Sequence, residues 1–371
     1  RTPRSPGCHA VVEAIIMHIK KMLPVLLAAL LPLSAQSQSD PYRLIDLGTL
    51  PGDVVSGALD INDRGQVVGR SGMGGAGCDT LECNGNAVLW ENGTVTDLGT
   101  LPNHDYSEAR AINNQGEIVG LSGSWGSGNH AVLWDNGTIT DLDMLPYDES
   151  TSASGINERG QIIGSGGGGN VAPHAVLWDN GAVTDLGIVA TWFDPTASPV
   201  GRVDFSHAYG INNRGQIVGV STTSKGVHAV LWENGTVTDL GTLPGHNYSE
   251  AFGINERGQI MGLSGMWTDD CNAGECRAVL WEEGTIIDLG IPMTAWGLPS
   301  GINNSGQIVF ASNQSHVGFN RAILWDKGTI TDLGALAYPG SGLSGAFGNN
   351  DRGQIVGFAA GLDGGAALWM R

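Results

Sequence analysis

One short segment recurs seven times in this chain, and that repetition limits the possible folds more than any other property. An A-V-L-W-like tetrapeptide ends at Trp90, Trp134, Trp178, Trp232, Trp281, Trp325 and Trp369, at spacings of 44, 44, 54, 49, 44 and 44 residues. An I-N-x-x-G-Q-I-V-G-like segment begins at Ile61, Ile112, Ile156, Ile211, Ile254, Ile302 and, in degenerate form, Asn349. A D-L-G-like segment begins at Asp46, Asp97, Asp141, Asp185, Asp239, Asp288 and Asp332. Each unit reads as four short strands. The first is S-x-A-x-G-I-N, as in Ser249–Asn255, and the second is Q-I-V-G. The turn between them carries a glycine, Gly258 in that copy, suited to positive φ. The third strand is A-V-L-W, and an E-N-G or D-N-G hairpin leads into T-I-T-D-L, the fourth. A third strand apolar at consecutive positions is buried on both faces, as expected when sheets stack face to face.

The two ends of the array are complementary. It opens with a fourth strand, residues 42–47, and closes with a third strand, residues 366–369. The pattern predicts an all-β fold, a seven-bladed β-propeller closed by the N-terminal strand completing the last blade, which leaves no exposed sheet edge. An open β-solenoid is the alternative, and it would more naturally carry atypical capping repeats. Length alone, 371 residues, suggests two or three domains. The repeats instead gather residues 42–371 into one. They also account for an odd composition, in which 11 Trp outnumber 7 Phe and 6 Tyr beside 58 Gly.

Residues 1–16 read as upstream read-through. From Met17 or Met22 the chain has a positive segment (Lys20, Lys21), an apolar run from Leu23 to Leu33 and Ala35 before a cleavage point. Residues 17–35 are therefore expected to be a signal peptide, and 36–41 a short linker. The apolar run is too short to span a bilayer, and no later stretch qualifies. The expected location is secreted or periplasmic, in a bacterium. A formal charge of −19 and a pI near 4.6 exclude nucleic-acid binding through phosphate neutralisation and disfavour anionic membrane surfaces.

The units resemble the HAF repeats of bacterial extracellular proteins, named for a His-Ala-Phe sequence. His130, His174 and His228, each followed by Ala-Val, stand at that place, and the L-W-x-N-G-x-x-x-D-L-G tail follows. This chain departs from the pattern with Val for Phe throughout, and with Asn86, Arg277, Arg321 and Gly365 in place of the other histidines. The resemblance implies an exported repeat protein and no particular activity.

Strand order puts the near-invariant N-x-x-G and E-N-G turns on one side of the array and the variable loops on the other, where binding is expected. Two of these loops carry Cys-x4-Cys, read as local disulfides Cys78–Cys83 and Cys271–Cys276. A metal site built from the four thiols is the weaker alternative, and Cys8 lies upstream of the mature chain. The loops entering each first strand hold Asp53, Asp105, Glu108, Asp148, Glu149 and Glu250, candidate oxygen ligands for Ca²⁺. They also hold His104, His207 and His246, candidate general bases. The alternative is that these are solvated loop acids and capping residues.

The chain lacks G-x-S-x-G, H-E-x-x-H, Walker and EF-hand motifs, so no organic cofactor is expected. Asp60-Ile-Asn62-Asp63 resembles a calcium loop only faintly and reads as a turn. Two functions compete. One is a secreted, Ca²⁺-assisted hydrolase of an ester or lactone. The other is a non-catalytic extracellular propeller that binds a glycan or protein through Trp125, Trp192, Trp267 and Trp296, the tryptophans outside the repeat core.

Overall fold

The computed structural model describes residues 42–73, 85–169, 171–189, 204–266, 276–293, 297–314, 319–334, 343–359 and 365–371. The expected read-through, signal peptide and linker, Cys8, and the loop residues Cys78, Cys83, Trp192, Trp267, Cys271 and Trp296 lie outside them. Every element among the described residues is a strand or a turn. No helix is long and apolar enough to cross a membrane.

Each repeat folds as its pattern predicts. In unit two, Tyr106–Ile112, Ile118–Gly123, Asn129–Asp135 and Thr138–Asp141 pair antiparallel in chain order. Five sheets have four strands. The sixth has eight, because units four and five are joined by one parallel bridge between Val227 and Tyr248. One four-stranded sheet draws on both ends of the array. Arg43–Asp46 pairs antiparallel with Ala366–Met370, placing Leu44 opposite Trp369. That sheet continues through Ile355–Ala359 to Ser344–Asn349.

The core lies between units rather than within them. Each of the seven buried clusters combines residues of two successive units, for example Val68 and Ala87 of unit one with Ala109, Val132 and Trp134 of unit two. Another joins Val356 and Ala366 of unit seven to Ala58, Val67 and Trp90 of unit one. The repeated tryptophans are the largest side chains at these seams; Trp369 is fully buried. Truncating such a residue typically costs about 3–5 kcal/mol.

The turn after each inner strand ties its unit to the next. The Asn62 carboxamide oxygen accepts the Arg64 and Gln66 backbone N–H groups, both at 3.0 Å. Its Nδ2 donates 2.9 Å to the Asn113 carbonyl of unit two. Asn113, Asn157, Asn212, Asn255 and Asn303 repeat the bond, each to the following unit. Asn350 Nδ2 donates 2.9 Å back to the Asn62 carbonyl. A second series runs beside the first, from the N–H of Asp63 to the Asn114 side chain and onward to Asp351, whose N–H reaches Asp63 Oδ1 at 2.9 Å.

Two local features set the inner strands. Each carries a one-residue register shift, as between Ala109 and Ala111. It turns a carbonyl onto the neighbouring strand, so a Cβ at Gly120 would collide with the Glu108 carbonyl. Unit six has Phe310 there instead, opposite Pro299. The hairpins take the predicted left-handed form, with Asn92 at φ 52° and Gly93 at φ 76°. Glu283 and Lys327 fill the Asn position at φ 50° and 49°. The outer strand of unit five extends further than its repeat implies, Thr285–Met293, and pairs back to Cys276.

Two expectations follow. Asn350→Ala removes a buried side chain that satisfies four partners, so urea unfolding should show a loss of about 2–4 kcal/mol. Lys327→Asn relieves a left-handed backbone without touching the core, and should raise stability by about 0.5–1 kcal/mol in the same assay.

Candidate active site in the central cavity

The inner strands surround a cavity of about 220 Å³. Each unit presents to it the residue that follows the buried small residue of S-x-A-x-G: Leu59, Arg110, Ser154, Tyr209, Phe252, Ser300 and Phe347. The scaffold repeats but this position does not, so the cavity has distinct sides.

Units three to five bring together one run of polar and aromatic groups. His207 and Tyr209 are two apart on Ser206–Ile211 and share a face of that strand. Their rings stack at 5.9 Å with an interplanar angle of 10°. Phe252 lies 5.7 Å from Tyr209. Two residues before Phe252, Glu250 accepts the Tyr248 hydroxyl. Burial, reinforced by His174, holds His207 below the usual histidine range, so it is neutral at pH 7. Burial and the nearby Glu250 push the Tyr209 phenol up, and the phenol keeps its proton. Burial also raises Glu250, partly offset by the Tyr248 hydroxyl.

His174 breaks the pattern of its own repeat. At the equivalent place, Asn86, His130, His228, Arg277 and Arg321 each bond to the D-L-G aspartate of their own outer strand: Asp97, Asp141, Asp239, Asp288 and Asp332. The substitutions among copies therefore conserve a donor for one carboxylate. His174 instead sets Nε2 3.2 Å from Asp148 Oδ1, a carboxylate with no exposed surface. Its Nδ1 faces the Ala172 carbonyl at 3.1 Å and must donate to it. Nε2 and both Asp148 oxygens are buried without a hydrogen-bond partner among the described residues, so the two groups meet as a close pair rather than through an aligned hydrogen bond.

The other predicted bases are held differently. His104 and His246 occupy equivalent loop positions, each with Nδ1 3.0 Å from a serine hydroxyl, Ser122 or Ser264. Those hydroxyls accept the Leu101 and Leu243 N–H groups. Asp53 plays the same part in unit one, accepting from Ser71 at 2.7 Å while Ser71 accepts the Leu50 N–H. These three residues lock entry loops to their blades.

The remaining carboxylates predicted to share a cation sit in separate local settings. Asp105 accepts the Trp125 N–H at 3.0 Å, and Glu149 packs over Gly169. Glu108 lies between Arg110 Nε at 2.7 Å and Arg70 Nη1 at 3.1 Å. Burial pushes Glu108 up, but the Arg110 and Arg70 guanidiniums together hold it below the usual carboxylate range. Among the described residues, no group of three or more His, Cys, Asp or Glu side chains is arranged to hold a metal ion. Of the predicted aromatic binders, Trp125 is described; it is 59% exposed and its ring lies 5.1 Å from that of Tyr106. Cys276 is buried and disulfide-bonded.

Five residues of this region are not site candidates in the sequence: Arg70, Arg110 and Tyr209 fall in no motif, and Asp60 and His174 fall in motifs that give them no part in a site. Their signal lies in departures between aligned copies. Asp60 replaces the glycine or alanine of the other inner strands, and it belongs to Val55–Ile61 rather than to the turn expected there. Its carboxylate accepts the Ile112 N–H of unit two at 3.0 Å and the Ile61 N–H at 2.8 Å. Burial pushes it up to about 6 despite those two bonds.

A raised folded-state pKa means the proton is bound more tightly in the folded chain. Burying Asp60 thus costs nothing below about pH 4, and stability falls as pH rises through about 6, by up to about 3 kcal/mol. Urea unfolding of wild type and Asp60→Asn at pH 4 and pH 7.5 should show the variant gaining by that amount at the higher pH. An unchanged difference would mean an ordinary carboxylate.

No protein-family model matches the chain, and no curated protein matches it. Solved structures do. A catalytically inactive histidine-to-alanine form of virginiamycin B lyase from Staphylococcus aureus, with quinupristin, has a TM-score of 0.55 at 12% identity, over 89% of this chain and 99% of that one. The GH74 enzyme of Niastella koreensis scores 0.52 at 14%, over 88% and 53%. A puromycin-hydrolysing peptidase of Mycobacterium tuberculosis scores 0.51 at 12%, over 87% and 53%. At such identities the likeness establishes the fold alone, the β-propeller these proteins share with the present chain.

Proposed function

We propose that this chain is a secreted, seven-bladed β-propeller of the HAF-repeat kind, closed by Arg43–Asp46, that hydrolyses an ester or lactone bond in a small substrate held in the central cavity. The blade count and closure are supported by the seven inter-unit clusters, the Asn series returning from Asn350 to Asn62, and the pairing of the two terminal strands. Export is supported by the leader-like sequence before residue 36. The disulfide at Cys276 fits the same compartment.

The observation that carries the enzymatic reading is the His207–Tyr209 pair. A neutral imidazole and a protonated phenol stack on one strand face, and the phenol belongs to a residue that lines the cavity. In this reading water attacks the substrate carbonyl while His207 takes its proton. The carbonyl oxygen, now an oxyanion, accepts the Tyr209 hydroxyl. Collapse breaks the C–O bond, and the departing alkoxide recovers the proton from His207. Burial, with His174 alongside, keeps His207 unprotonated and able to take the proton. A general base contributes about 10²–10⁴-fold and one oxyanion donor about 10²–10³-fold.

Turnover of lactone and p-nitrophenyl ester panels tests this. His207→Gln should lose about 10²–10⁴-fold with an unchanged melting curve, and Tyr209→Phe about 10²–10³-fold. EDTA separates this proton-transfer reading, which expects no loss, from the Ca²⁺-assisted one. A binding function for glycan or protein is favoured by a different observation, the exposed Trp125 against Tyr106. It expects saturable glycan-array binding that disappears in Trp125→Ala, with no turnover on any panel.

A further inference from the structure

We propose that Arg110 is the receptor for a carboxylate on the ligand, so that the cavity takes small, ring-bearing carboxylates. The inference rests on the reading of this cavity as the active site, and it names the substrate class. Three observations carry it. First, Arg110 uses only Nε on Glu108, and Nη1 and Nη2 make no hydrogen bond among the described residues. The side chain is 34% exposed where it lines the cavity, which leaves a two-pronged donor open to a planar anion. Second, Glu108 is shared by Arg110 and Arg70, two guanidiniums on one carboxylate, so Arg110 is not fully engaged by its partner. Low-dielectric walls strengthen the pull of its open prongs on an anion. No other unit places a basic residue at this position, so the repeat fold does not require one.

Third, the facing wall is aromatic. Tyr209, Phe252 and Phe347 line the same cavity and offer ring faces to a flat ligand. A volume of about 220 Å³ is below the roughly 300–1,000 Å³ of drug-sized pockets and suits a single ring with a short substituent. The ligand would seat its carboxylate on Arg110 of unit two and its ring against units four, five and seven, with its scissile bond toward Tyr209, on which His207 stacks.

Calorimetric titration of the full mature chain with benzoate, benzamide and phenyl phosphate tests the assignment without needing turnover. Benzoate should bind at least tenfold more tightly than benzamide, whose shape is the same but whose charge is absent, and more tightly than phenyl phosphate. Arg110→Gln should remove the benzoate preference, and Arg110→Lys, which keeps the charge, should retain part of it. Equal affinity for benzoate and benzamide, tighter phenyl phosphate, no binding of any probe, or full preference in Arg110→Gln would each overturn the proposal. Should Arg110→Gln fail to fold, the wild-type ratio and Arg110→Lys decide alone. His207→Gln should bind benzoate as wild type does. Loss of turnover there with binding intact separates the catalytic reading from the anion site.

Discussion

The asparagine amide at the end of each inner strand is the contact on which the rest of the structure depends. Its oxygen closes the turn by taking two backbone N–H groups, and its nitrogen takes a carbonyl from the next unit. One buried side chain thus satisfies local backbone and sets the spacing between neighbours. Because the bond recurs from Asn62 to Asn350 and returns, the inner strands share one height, and the hydrophobic seams outside them align. A serine or threonine at the other end of the inner strand does similar work. Ser107 accepts the Ala87 N–H of the unit before it, as Ser56 accepts that of Ala366.

A scaffold held this firmly frees the inner-strand positions that face the cavity. The register shift and its glycine fix the backbone, and residues two apart look the same way, so a change of side chain alters chemistry without altering the fold. That is why His207 and Tyr209 in unit four, Glu250 and Phe252 in unit five, and Glu108 and Arg110 in unit two differ so much on one framework. Burial then tunes them. The same desolvation that keeps His207 neutral lifts Glu250 and Asp60, while paired guanidiniums overcome it at Glu108.

Reading the sequence locates much of this framework and only part of the site. His104 and His246 stand in the loops before S-x-A, whereas His207 is the middle residue of Ser206-His207-Ala208. The first two meet a serine of the second strand and lock a loop, and the third stacks on Tyr209, which lines the cavity. The repeat register separates them, but the partners that each meets come from the fold. The carboxylates of the entry loops likewise share a sequence context but meet different partners, a serine, a backbone N–H, two arginines, a histidine and a tyrosine. At the repeated His-Ala positions a donor faces the D-L-G aspartate of its own outer strand. His174 departs because its partner, Asp148, arrives from the preceding loop rather than from its own outer strand.

What the sequence by itself determined is the local and periodic part: strand order within each unit, the Asn-Gly hairpins with their left-handed φ, the doubly buried A-V-L-W strand, and the complementary ends that pair as Leu44 with Trp369. These follow from short-range sterics and from burial counted along one chain. What only the tertiary structure decided is which residues of different units meet. Arg70 of unit one meets Glu108 of unit two, and Asp60 bonds the Ile112 N–H across a seam. His174 of unit three comes beside His207 of unit four, and Glu250 of unit five beside Tyr209. Those encounters set protonation and open donors, because solvent exclusion and the charge of a neighbouring blade act through space, over distances to which the spacing of residues along the chain is blind.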